Sequence, residues 1–209
     1  MDKLLETMRR LRAPGGCPWD REQTHESLRP YLLEEAAEAV DALTAGDPAA
    51  VADELGDVLL QVAFHAVVAE EDGTFSYDDI ETSIVAKLVR RHPHIFGDTV
   101  AVDAAEVKRN WDRIKREERG DAEPAPADRV PRSLPALMRA AELGRKLDWT
   151  PGRAEEVTKA LAAAESVPDA QTVGDLLLAV VDYARAEGID PELALRAAAD
   201  ARAELPVDP

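Results

Sequence analysis

From Leu55 to Val68 the chain is apolar on nearly every side of a helix. The interior exceptions, Asp57, Gln61 and His65, fall four residues apart. Residues at that spacing share a face, so they form one narrow polar stripe. A helix apolar on most sides is normally a buried one, and its stretch is bounded by an N-cap and first-turn proline pair, Asp47-Pro48, and by Gly73. The chain is therefore expected to pack around one long helix over about 48–71. Aromatic residues make up only 4%, and Ala and Leu are abundant. Both features favour helix over strand, and the fold class expected is all-α.

The acids near the head of that helix set the chemistry. Glu54 and Asp57 share one face, and in the preceding helical stretch Glu34 and Glu35 both lie beside Glu38. Acids at helical spacing usually mark a solvated face, and either cluster alone reads that way. Two clusters on consecutive helices, each embedded in apolar sequence, point instead to a site. A buried carboxylate has to be paired or bound to metal. Between Tyr31 and Arg90 the only Lys or Arg is Lys87, so local ion pairing does not neutralise the acids. A hard divalent cation does, and oxygen ligands select Mg²⁺ or Mn²⁺. The break between the two helices is short, which makes them antiparallel neighbours. Glu38 lies eight residues before Gly46 and Glu54 eight after it, so the two sets of acids meet at one height.

With 209 residues the chain suffices for one large or two small domains. A net charge of −17 argues against a nucleic-acid duplex or an anionic membrane as partner. It leaves a nucleotide substrate open, because bound metal reverses the local sign. One cysteine, Cys17, excludes an intrachain disulfide and a Cys-based zinc site. No signal peptide and no run of 18 apolar residues are found, and a soluble, cytoplasmic protein is expected.

In chain order, an amphipathic helix over 2–12 ends at Pro14-Gly15-Gly16, and a loop with Cys17-Pro18-Trp19-Asp20 follows. Trp19 reads either as core packing or as a ring on which a base stacks. Thr24 or Ser27 is expected to cap a helix over 30–43, with Pro30 in its first turn. Ser76 caps the next, over 77–91. Lys87 and Arg91 share a face at its C-terminal end and serve either the helix dipole or phosphate oxygens. His92–Gly97 reads as a loop, and its two histidines lack the spacing of a zinc site. Asp103 and Glu106 resemble a capping box for a helix to about 118. That helix carries Trp111 and Lys115, which face a ligand or the solvent. Residues 120–132 are rich in Pro and charge and read as a linker between a module over 1–119 and another over 133–209. Helices are expected there near 134–146, 153–166, 170–187 and 191–204. Gly174-Asp175-Leu176-Leu177-Leu178 echoes Gly56-Asp57-Val58-Leu59-Leu60, but Thr172 stands where Glu54 stood. The second module is thus expected to be a related one without metal-binding acids, serving packing or oligomer contacts.

These residues carry a family resemblance. Glu34-Glu35-x-x-Glu38 followed by Glu54-x-x-Asp57 resembles the all-α nucleoside triphosphate pyrophosphohydrolases, and the closer resemblance is to MazG. Its landmarks are Cys17-Pro-Trp-Asp20, Gln23-Thr-His25, Asp53-Glu-Leu-Gly-Asp57, Lys87 to His94 with Phe96-Gly97, Trp111 with Ile114-Lys115, and Pro131 to Leu137. The resemblance implies tandem MazG-like helical-bundle modules, here with the second degenerate, assembled as a homodimer or higher oligomer. It implies Mg²⁺-dependent hydrolysis of (d)NTPs to (d)NMP and pyrophosphate, with a housekeeping role in the nucleotide pool. Glu35, Glu38, Glu54 and Asp57 would be metal ligands, and Glu34 would act on the water or hold a further metal. Lys87 and Arg91 would hold the triphosphate. The competing reading is a non-catalytic helical interaction module. A di-iron carboxylate bundle is disfavoured, since only Glu22-x-x-His25 fits its Glu-x-x-His pattern, once and in the wrong place.

Overall fold

The computed structural model describes residues 1–119, 125, 128 and 130–203. Among them every regular element is a helix, and the chain divides into two compact units, Met1–Glu118 and Arg119–Pro209. Residues 120–124, 126, 127 and 129 of the expected linker lie outside the described residues.

The first unit comprises α1 (Asp2–Arg12), α2 (Pro18–Glu22), α3 (Arg29–Ala45), α4 (Pro48–Glu71), α5 (Tyr77–Arg91), α6 (Pro93–Phe96) and α7 (Ala104–Arg119). Its core gathers Leu5 and Met8 of α1, Leu28, and Ala63, Phe64, Ala66, Val67 and Val68 of α4. Met8, Leu28 and Val67 are each at most 1% exposed, a burial that stabilises by about 1.5–3 kcal/mol per side chain. Arg9 and Arg12 then tie α1 to the end of α4 through Glu70 and Glu71. Gly46, in the left-handed region at φ 77°, closes α3, and the Asp47 side chain accepts a hydrogen bond from the Ala49 amide to open α4. These two residues fold α3 and α4 into the expected hairpin.

Three details depart from the expectations. The stretches 18–22 and 93–96, read as loops, form short helices; one turn is too brief to show a hydrophobic period. Thr24 and Ser27 do not cap α3, whose N-cap is Leu28 with no side-chain bond; they bond each other, Thr24 N to Ser27 Oγ at 2.9 Å and Ser27 N to Thr24 Oγ1 at 3.2 Å. Finally, the apolar run 55–68 is buried only in its C-terminal half. Leu55 and Leu59 are 48% and 46% exposed, and Leu33, Val40 and Leu43 of α3 are exposed as well. Apolar patterning marks a surface to be covered without saying by what.

The second unit comprises α8 (Ala136–Lys146), α9 (Ala154–Ser166), α10 (Ala170–Ala186) and α11 (Pro191–Ala203). α9 and α10 pack as a hairpin, with α8 against α10 and α11. Val181 of α10 is fully buried, and Gly144 of α8 lacks the Cβ that would meet the Arg185 guanidinium. Thr172, at the place of Glu54, is taken up in capping: its amide bonds Asp169 Oδ1 at 2.8 Å and its hydroxyl donates to the Val167 carbonyl.

Candidate active site

The α3–α4 hairpin brings the acids together. Glu35 and Glu38 project from α3 and Glu54 from α4, and one carboxylate oxygen from each lies within 4.8 Å of the other two. The group sits at the surface, with Glu35 and Glu54 half-buried and Glu38 exposed. Partial burial, then the charges of Asp57, Glu38 and Glu34, raise the Glu35 pKa above its ordinary value. Burial, then Glu38, Asp57 and Asp53, raise that of Glu54. Asp57 therefore acts on both, although it is outside the three that converge. Glu34 is exposed beside them. Among the described residues none of these acids has a Lys or Arg within ion-pair distance, whereas Glu70 and Glu71, at the far end of α4, are both paired. Mutual repulsion without a counter-ion is what a hard cation relieves, and all-carboxylate donors suit one.

The other expected site residues fall in two places. Trp19 packs edge-on against Tyr31 (5.7 Å between ring centroids) and Phe64 (6.4 Å), yet remains half exposed. Its short helix is pinned by Arg12, whose Nη1 donates to the carbonyls of Asp20 and Gln23 while its Nε and Nη2 engage Glu71. Tyr31 lies one turn before Glu34, so this aromatic wall adjoins the acids along α3.

Lys87 and Arg91 lie on α5, and Trp111 and Lys115 on α7. Lys87 makes no ion pair among the described residues. Arg91, together with Arg90, is engaged by Glu118. The Trp111 ring meets His92 edge-on at 5.0 Å, the Lys115 ammonium lies over it at 5.1 Å, and its Nε1 is buried without a hydrogen-bond partner among the described residues, as is His94 Nδ1. Sequence reasoning missed Glu118, Arg12 and Tyr31. The adjacent arginines closing α5 were the one signal for the first, since a cationic pair needs an anion.

Residues 23–96 match the family model described as "MazG nucleotide pyrophosphohydrolase domain". The chain is 43% identical over 216 aligned positions to a nucleoside triphosphate pyrophosphohydrolase of Escherichia coli K12, covering 95% of this chain and 82% of that protein. It is 38% identical to the nucleoside triphosphate pyrophosphohydrolase/pyrophosphatase MazG of Thermotoga maritima, covering 94% and 80%. A crystal structure of a mazG-related protein from the same organism aligns with a TM-score of 0.48 at 28% identity, over 56% of this chain and 99% of that one.

Proposed function

This chain belongs to the MazG nucleoside triphosphate pyrophosphohydrolase family, and from that premise we propose that it hydrolyses (d)NTPs at the α-phosphorus. Water attacks that phosphorus, the bond to the α–β bridging oxygen breaks, and (d)NMP and pyrophosphate leave. The observation that carries this reading is the convergence of Glu35, Glu38 and Glu54, with no Lys or Arg within ion-pair distance of them among the described residues.

Glu35, Glu38, Glu54 and Asp57 would hold Mg²⁺, for which Mn²⁺ can substitute. When bound, such an ion screens the polyphosphate and lowers the pKa of the attacking water. The chain's own groups do the rest. Glu34, exposed beside the cluster, accepts the proton from water. Lys87 and Arg91 hold phosphate oxygens. Trp19, with Tyr31 behind it, offers a face for the base; Trp111 and Lys115 complete the substrate contacts. Phosphoryl chemistry asks mainly for positioning and charge neutralisation, which fits a site built without a Ser, Cys or His nucleophile.

The exposed leucines of α3 and α4 are covered, in this reading, by a second copy of the chain. The second unit is a degenerate module that contributes packing or oligomer contacts, because Thr172 replaces the acid at the position of Glu54. The reading puts the protein in the cytoplasm, in housekeeping of the nucleotide pool; among the described residues no helix is long and apolar enough to cross a membrane.

Product analysis tests the proposal. With Mg²⁺ and each dNTP, monophosphate and pyrophosphate are expected, and Glu38→Ala should lower kcat/KM by about 100-fold or more. Diphosphate plus phosphate would mean attack at the γ-phosphorus. Turnover persisting in excess EDTA would refute the metal-assisted route.

A further inference from the structure

Arg90 and Arg91 close α5, and both grip one carboxylate, that of Glu118 in the last turn of α7. Arg90 Nε donates to Oε1 at 2.5 Å. Arg91 donates through Nη2 to Oε2 at 2.7 Å, and its Nε reaches both oxygens at 3.2–3.3 Å. The Glu118 and Arg91 side chains are only 18% and 23% exposed. A carboxylate and a phosphate offer a guanidinium fork the same thing, a pair of anionic oxygens at bonding distance. Arg91 cannot give its Nε and Nη2 to Glu118 and to a polyphosphate at once. One turn back, Lys87 is held by no such partner among the described residues.

We propose that Glu118 is a built-in stand-in for the substrate's phosphates: it occupies Arg91 and Arg90 and has to be displaced when a polyphosphate binds. This rests on the reading that Arg91 holds phosphate oxygens. Two consequences follow from the geometry. Polyphosphate affinity is set below what the arginines alone would give. Displacement also removes an anchor of α7, because these bonds tie its last turn to the end of α5, and so loosens that turn. The arginine pair holds the Glu118 carboxyl down to about 2, so the stand-in stays charged throughout the neutral range and does not release the arginines by taking up a proton.

The test uses the full chain with Mg²⁺-pyrophosphate as the binding probe, measured by calorimetry, beside KM for the dNTPs. Glu118→Gln keeps the shape and removes the charge. It should lower both the pyrophosphate Kd and the dNTP KM by about 3- to 10-fold, the scale of a partly exposed charged pair. Arg91→Ala should raise both, and the gain from Glu118→Gln should shrink in the Arg91→Ala background, because the two act on one contact. If Glu118→Gln raises the Kd or leaves it unchanged while Arg91→Ala raises it, Glu118 merely orients the arginines; the inference fails and the phosphate role of Arg91 stands. If Arg91→Ala changes neither quantity, that role fails and takes the inference with it. The unmodified chain supplies an independent readout. Amide hydrogen exchange in the last turn of α7 should accelerate on adding Mg²⁺-pyrophosphate, and unchanged or slower exchange would overturn the displacement.

Discussion

His25 and His65 share a single hydrogen bond, Nδ1 to Nδ1 at 2.7 Å, with ring planes 10° apart and Phe75 nearly parallel to His25. One nitrogen has to donate and the other accept, so the bond survives one proton added to the neutral pair and not two. Burial, then the positive charge of His25, lowers the His65 pKa below its ordinary 6.5. The unfolded chain therefore binds more protons than the folded one as pH falls through that window. The contribution to stability is whole above 6.5 and is lost as pH falls through the folded-state pKa. Urea unfolding at pH 7.5 and 5.5 should show the native chain losing stability at the lower pH, and His65→Leu losing less. An equal loss in the variant would remove His65 as a cause.

At the scale of elements, the hairpin of α3 and α4 depends on its turn. Asp47→Ala removes the side-chain acceptor for the Ala49 amide and should cost about 1 kcal/mol in chemical denaturation. A change within error would mean that tertiary packing alone holds the helix start. This hairpin was readable from the sequence because turn chemistry and spacing are local: Gly46, Asp47-Pro48, and acids eight residues to either side of Gly46. The capping of α5 by Ser76 was readable for the same reason, and its bonds to Asp79 are present. What stayed hidden was non-local. Nothing near His25 announces a partner 40 residues away, and the pair Arg90-Arg91 called for an anion without saying that it would be Glu118, 27 residues on. The short helices α2 and α6 escaped because a single turn has no period. The half-exposed Trp19 escaped a clean assignment because its ring both packs and faces outward.

For the molecule as a whole, the exposed leucine rows carry the expectation of self-association. Leu33, Leu43, Leu55 and Leu59 of the hairpin are between 46% and 61% exposed, apolar surface of the kind that a partner covers. Leu59→Glu should shift the mass seen by light scattering from dimer towards monomer. A monomeric native chain would defeat the idea. These leucines are interleaved with the acids: Leu33 precedes Glu34, Leu55 follows Glu54, and Leu59 lies two residues past Asp57. Covering them strips water from carboxylates that already repel one another, and a divalent ion offsets that cost. On the proposed function, self-association and ion uptake would be linked equilibria, each strengthening the other by the same factor. At limiting Mg²⁺, turnover per chain should fall on dilution, and excess Mg²⁺ should restore it.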